Sequence, residues 1–188
     1  MARDLAEVDA CNAGLMPPRL IVQTDKEIFM HPDKACPAVL CFAQRPRILL
    51  FRHPQAGVQL VKGTIERGET PAEAALRELA EESGIHNATI SEDLGCWESC
   101  HHGQVWSFQL CEVREPQPER WSHQTLDDHG HVFEFFWASL DHLPYDDCHP
   151  VFRRALGFLI EALKCQGQLA AHDRGAKWRL TGCSRSDS

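Results

Sequence analysis

The chain has 188 residues, a formal net charge of −8, and 43% hydrophobic and 24% charged residues. That length suffices for one domain with a full core, and the composition excludes a disordered or fibrous chain. The acidic excess argues against a nucleic-acid polymer or an anionic membrane as partner, since both call for surplus basic charge.

Residues 1–18 mix small and charged residues, end in Pro17-Pro18, and read as an extension ahead of the core. Asp4, Glu7 and Asp9 stand where a secretory signal needs an apolar run, so a cytoplasmic location is expected. The main domain is placed at 19–167. Ala38–Phe42 and Arg47–Phe51 read as strands across a turn at Gln44–Pro46. The longest apolar stretch, Pro37–Ala43, falls far short of a membrane span. Val58–Val61 is a short strand closed by Gly63, and a helix with well-marked ends follows. Thr70 is its N-cap, Pro71 its first residue, Glu73 completes a capping box and Gly84 ends it. Ala88–Ile90 and Val105–Val113 read as strands, and Arg114–Arg120, with two prolines, as a loop. His131–Leu140 is an aromatic strand whose period-2 alternation makes Phe133, Phe135 and Trp137 core positions rather than a stacking wall for a base. Pro150–Cys165 is a second helix with Val151, Ala155, Leu159 and Leu163 at core spacing. Residues 168–188 form a polar tail on which Trp178 and Leu180 could dock. This order predicts an α/β architecture with a mixed sheet between helices.

Nine cysteines, irregularly spaced and without a CxxC pair, fit reduced thiols in the cytosol. Cys96, Cys100, His101 and His102 form the one cluster that could supply zinc ligands, although a closed zinc site usually shows two close ligand pairs.

The chemistry concentrates in Gly63–Ile85, GTIERGETPAEAALRELAEESGI. A helical residue advances about 100°, which puts Glu82 about 40° and Glu81 about 60° to either side of Glu78. Ala72, Leu76 and Leu79 fall on a neighbouring arc and are expected to form the core face. Three carboxylates within one turn repel one another, and no Lys or Arg is interleaved among them on that face. Mg²⁺ favours carboxylate oxygen and keeps waters and sites for substrate phosphates, so the pattern points to metal-assisted phosphate chemistry. The glycine-bearing loop ahead of the helix lets main chain come close to metal or phosphate.

The segment matches GX5EX7REUXEEXGU, with U aliphatic, at every defined position, and so resembles the Nudix box. A weaker resemblance runs from about Ala38 to Leu163. It implies a Nudix-like α/β/α sandwich and a Mg²⁺-dependent hydrolase, with Mn²⁺ as substitute, acting on a diphosphate linkage. The expected substrate is a small-molecule nucleoside diphosphate derivative, and the expected assembly a monomer or homodimer. By resemblance, Glu78, Glu81 and Glu82 bind metal with the main chain at Gly63, and Glu82 is the central ligand. Arg77 pairs with Glu69 and holds the loop against the helix. Glu134, three residues before Trp137, resembles an acid that completes such sites, and with Glu81 and Glu82 it is a candidate catalytic residue; Glu98, Asp127 and Asp128 compete for its place. Arg52 resembles an arginine that contacts substrate phosphate. Lys62 echoes the lysine of an LPKG motif seen among members acting on dinucleoside polyphosphates and diphosphoinositols, with Val61 in place of the proline. The rival reading is a Nudix-fold binding or regulatory module without turnover; such modules usually lose box carboxylates, and this chain keeps all of them.

Overall fold

The computed structural model describes residues 31–42, 45–125 and 130–169. The extension at 1–18, the expected domain start at 19, the tail beyond Leu169, and Asp127 and Asp128 lie outside the described residues.

Among the described residues eight strands and two α-helices follow one another: β1 (Lys34–Phe42), β2 (Pro46–His53), β3 (Gly57–Gln59), β4 (Gly63–Thr64), α1 (Pro71–Ser83), β5 (Ala88–Glu98), β6 (Val105–Val113), β7 (Arg120–Gln124), β8 (Val132–Ser139) and α2 (Pro150–Cys165). The strands form a sheet in the order β5-β6-β1-β2-β8-β7, with β3 added to β2 and β4 to β1. Only β1 and β6 run parallel among these pairs, so the sheet is mixed.

The middle of this sheet is split. β1 and β2 pair at Leu40–Ile48, Cys41–Arg47 and Phe42–Pro46. Farther along, β1 takes β4 as its partner, with Ala35 opposite Gly63, while β2 takes β3, with Phe51 opposite Gln59. Leu60–Lys62 therefore crosses from one half of the sheet to the other, which is why the expected strand Val58–Val61 ends at Gln59 and a further short strand, β4, starts at Gly63.

Each face carries one helix. Ile48, Leu50, Trp106 and Phe108 pack with Val151, Phe152, Ala155, Leu156, Leu159 and Leu163 of α2. Val39, Leu49, Phe51, Phe133 and Phe135 pack with Leu79 of α1 and Ile85. Burying each large apolar side chain contributes about 1.5–3 kcal/mol, so the two layers stabilise the sheet from both sides. The result is the expected α/β/α sandwich.

The ends of α1 follow local chemistry. Thr70 accepts from Glu73 N–H, the Glu73 side chain returns to the Thr70 N–H, and Gly84 closes the helix in the left-handed region at φ 77°. Its inner face differs from the expected one. The buried residues are Ala74, Ala75, Leu79 and Ser83, while Ala72 and Leu76 are half-buried. On the helical wheel that arc includes Glu78 and Glu82. The acidic face turns inward because α1 lies across the split, where backbone and polar groups meet it.

Several strands exceed the sequence reading: β1 starts at Lys34 rather than Ala38, and β2 runs on to His53. β5 runs to Glu98 through register shifts at Ile90/Glu92 and Asp93/Gly95 that break its alternation. β7 occupies Arg120–Gln124, partly where a loop was expected, and pairs with β8.

Candidate active site

Gly63 sets the floor of the site. A Cβ built there would lie 1.6 Å from Glu78 Cδ and within 1.9 Å of both carboxylate oxygens. A residue without a side chain is what lets this carboxylate rest against the main chain of β4.

One guanidinium organises what surrounds it. Arg77 Nε and Nη2 donate to the two oxygens of Glu69 at 2.9 and 3.0 Å. Arg77 Nη1 donates to Glu78 Oε1 at 2.8 Å and Glu81 Oε2 at 3.0 Å, and Nη2 also reaches Thr64 O at 2.8 Å. Glu69 in turn accepts from Glu66 N–H at 3.0 Å, which closes the loop ahead of α1. The planar fork thus ties together loop, β4 and helix, and offsets the mutual repulsion of the α1 carboxylates.

Burial grades these acids. The Glu78 side chain is 12% exposed and that of Glu81 47%. Glu82 is half-buried, with its Oε2 shielded from solvent. Burial pushes the Glu78 carboxyl up; the Arg77 guanidinium opposes the shift and the Glu81 charge adds to it. Glu69 goes the other way, its carboxyl held below the usual range chiefly by its hydrogen bonds from Arg77.

The far end of α1 is pinned by β7, of which only Arg120 falls within the expected loop. Trp121 Nε1 donates to Ser83 O at 2.9 Å, and His123 Nε2 donates to Glu81 O at 3.1 Å. Lys34 is a further polar neighbour that sequence reasoning missed: its ammonium donates to Thr64 Oγ1, and burial followed by the Lys62 charge lowers its pKa. Only three-dimensional pairing brings these residues to the helix, so no local pattern marks them.

The remaining candidates sit around this centre. Glu134 is exposed on β8, with Arg52 and Ser122 as its cross-strand neighbours, outside the Arg77 network. Arg52 Nη2 donates to Asp147 Oδ2 at 2.8 Å, an ion pair in which both side chains are about half exposed. Lys62, next to Gly63, holds its ammonium 5.2 Å from the centre of the Trp106 indole. Glu98 ends β5 opposite Val105.

Among the described residues no three His, Cys, Asp or Glu side chains converge on a cation position. Cys96 lies half-buried on β5 and Cys100, His101 and His102 on the following turn, so the four do not gather as zinc ligands. The α1 carboxylates likewise turn one oxygen each from Glu78 and Glu81 toward Arg77. Their chemistry nevertheless fits a hard divalent cation: three carboxylates within one helical turn, against a main-chain cradle that a Cβ at Gly63 would fill.

The family model described as the NUDIX domain matches residues 34–156. RNA pyrophosphohydrolases of Brucella ovis and Brucella canis are each 46% identical over 39 residues, which is 21% of this chain and 22% of theirs. The chain thus spans about a fifth of the length of these curated relatives. Among solved structures, a UDP-X diphosphatase superposes with a TM-score of 0.53 at 16% identity, over 73% of this chain and 66% of that one. The Nudix hydrolase RenU of M. smegmatis gives 0.52 at 20%, over 71% and 87%. An ADP-ribose pyrophosphatase of Streptococcus suis gives 0.51 at 15%, over 78% and 96%. At these identities the superpositions speak to the fold.

Proposed function

The chain belongs to the Nudix family, and on that premise we propose that it hydrolyses a diphosphate linkage in a nucleoside diphosphate derivative with the help of Mg²⁺. The observation that carries this reading is the inward acidic face of α1, with Glu78 seated on Gly63 and tied by Arg77 to Glu69 and Glu81. The names of the relatives, RNA pyrophosphohydrolase, UDP-X diphosphatase and ADP-ribose pyrophosphatase, support the same reaction class.

Glu78, Glu81 and Glu82 would hold the cation, with main chain at Gly63 alongside. Mg²⁺, or Mn²⁺ in its place, neutralises diphosphate charge and makes water acidic enough to act as a nucleophile. Water adds to one phosphorus, the bridging P–O bond breaks, and each half leaves with a phosphate. A glutamate accepts the water's proton; Glu82, Glu81 and Glu134 are the candidates. Arg77 keeps the helix carboxylates in place without touching substrate. Arg52 is available to a phosphate because its present partner is an exposed ion pair worth about 0–1 kcal/mol, which a doubly charged group outcompetes. Lys62 adds positive charge at the crossing between the two halves of the sheet. Most of the rate enhancement comes from positioning and electrostatics.

The test is a panel of diphosphate compounds, namely nucleoside triphosphates, nucleoside diphosphate sugars, dinucleoside polyphosphates and 5′-triphosphorylated RNA, each incubated with Mg²⁺ and scored for released phosphate or nucleotide. Metal-dependent cleavage of at least one supports the reading. Binding without turnover throughout the panel would favour a non-catalytic nucleotide-binding module.

A further inference from the structure

The turn between β5 and β6, Ser99–Gln104, is built for more than reversing the chain. Two residues with side chains take left-handed conformations, Cys100 at φ 50° and His102 at φ 52°. Such backbone persists only where its surroundings enforce it, and it concentrates at functional sites. The enforcement is visible. Ser99 is fully buried, its Oγ lies 2.8 Å from Gln104 O, and it accepts from His101 N–H at 3.2 Å. Arg154 Nη2 on α2 donates to Ser99 O at 2.8 Å. Trp106 Nε1 donates to Gln104 Oε1 at 3.1 Å.

These bonds gather imidazoles. The rings of His101 and His102 are 4.1 Å apart, and those of His101 and His149 are 5.9 Å apart. His149 caps α2, accepting at Nδ1 from Val151 N–H at 3.4 Å, which leaves Nε2 as its donor. Lys62 reaches the same corner, because its ammonium lies over Trp106, the ring bonded to Gln104. Burial pushes the His101 imidazole down, and its neighbours His102, His149, Lys62 and Arg154 act on it in the same direction. Three imidazoles thus share one corner with the Lys62 ammonium and the Arg154 guanidinium, and an anion is the group such a corner would take.

Lys62 also connects this corner to the carboxylates, since the next residue is the Gly63 on which Glu78 rests. We propose that His101, His102, His149 and Lys62 form a second subsite that binds a phosphate group of the substrate, on the far side of Lys62 from Glu78. This subsite rests on the diphosphate-hydrolase reading and deepens it. It favours substrates with more than one ionised phosphate over those whose second half is neutral. Arg154 and Ser99 are positioning residues that hold the turn.

The experiment follows the imidazole NMR resonances of the full chain in metal-free, low-salt buffer, where no cation can recruit an anion to the α1 carboxylates. Inorganic pyrophosphate is titrated into the native chain and into the double variant His101→Gln/His102→Asn; asparagine tolerates the left-handed position. Saturable shifts of the His101, His102 and His149 resonances, with affinity at least fivefold weaker in the variant, are the expected result. A nucleoside triphosphate should move the same resonances, and the parent nucleoside should not. Unmoved resonances in the native chain, which need no variant to interpret, would overturn the proposal. So would equal affinity in the variant, or shifts with free pyrophosphate that the nucleoside triphosphate does not reproduce. Turnover plays no part in this readout, so failure of the hydrolase reading and failure of the subsite are told apart.

Discussion

Replacing Arg77 by lysine keeps the charge and removes the fork. Arg77 makes five hydrogen bonds, to both oxygens of Glu69, to Glu78, to Glu81 and to Thr64 O. A lysine ammonium is a point donor that cannot span Glu69 and Thr64 O together with the helix carboxylates, so at least two of these bonds are lost. Each charge-assisted bond contributes about 1.5–3 kcal/mol when well shielded, but the Arg77 side chain is 26% exposed and water recovers part of that. A net loss of about 2 kcal/mol is expected, or a fall in Tm of about 4–8 °C for a domain of this size. Activity should fall about tenfold in kcat/KM, equivalent to about 1.4 kcal/mol of transition-state stabilisation. Glu69→Gln breaks the same contact from the other side. Measuring Tm and kcat/KM for both single variants and the double at saturating Mg²⁺ closes the cycle. The losses should be non-additive, with a coupling of at least about 1 kcal/mol. Additivity within about 0.5 kcal/mol would refute the clamp and give Glu69 an independent role.

Three further outcomes follow from the same geometry. Mg²⁺ or Mn²⁺ should stabilise the folded chain by about 2.7 kcal/mol at one hundred times its Kd, and a Tm indifferent to millimolar cation at neutral pH would contradict the carboxylate site. Gly63→Ala drives a Cβ into the Glu78 carboxylate, whose flexible end can swing away, so the fold should survive while Mg²⁺-dependent activity and Mg²⁺ stabilisation both fall at least tenfold in effective affinity or rate; native values would show that Glu78 need not rest there. Because Arg77 lowers the Glu69 pKa, the stability this carboxylate contributes is complete above the unfolded-state value near pH ~4.3 and is lost as pH falls through its lower folded value. A Tm series from pH 7 to 3 should therefore decline less steeply in Glu69→Gln than in the native chain, and identical slopes would remove Glu69 from the acid transition.

What the sequence made legible is what local chemistry decides. Thr70, Pro71, Glu73 and Gly84 bound α1 as their side chains and backbone preferences require. Val151, Ala155, Leu159 and Leu163 are buried along α2 as a 3.6-residue period dictates. Ala88–Ile90 is legible as the start of β5, but its continuation to Glu98 is not, because register shifts interrupt the two-residue alternation on which recognition depends. β7 was hidden because it is an edge strand with Trp121 and His123 half-buried between exposed residues, and both earn their place by bonds to α1 rather than by a core pattern. The inward orientation of Glu78 and Glu82 was also hidden. It follows from the split between β1 and β2, and that split depends on β4 pairing with β1, which is far from it in sequence, while β3 folds back on β2 as a short hairpin. The grouping of His101 with His149 and the Arg52–Asp147 pair arise in the same way, from α2 and its leading turn returning to the sheet.

The most direct measurement compares native and Glu82→Gln protein, with Mg²⁺ varied, on whichever diphosphate compound the panel shows to be cleaved. The substitution keeps the size of the side chain and removes one charge from the inner face of α1. A fall in kcat of about 10²–10³, the usual cost of losing one preorganised electrostatic contact, is expected, with Tm in the absence of metal equal to or above the native value because repulsion with Glu78 and Glu81 is relieved. Undiminished Mg²⁺-dependent turnover in Glu82→Gln would contradict the assignment of the α1 carboxylates as the metal-binding centre.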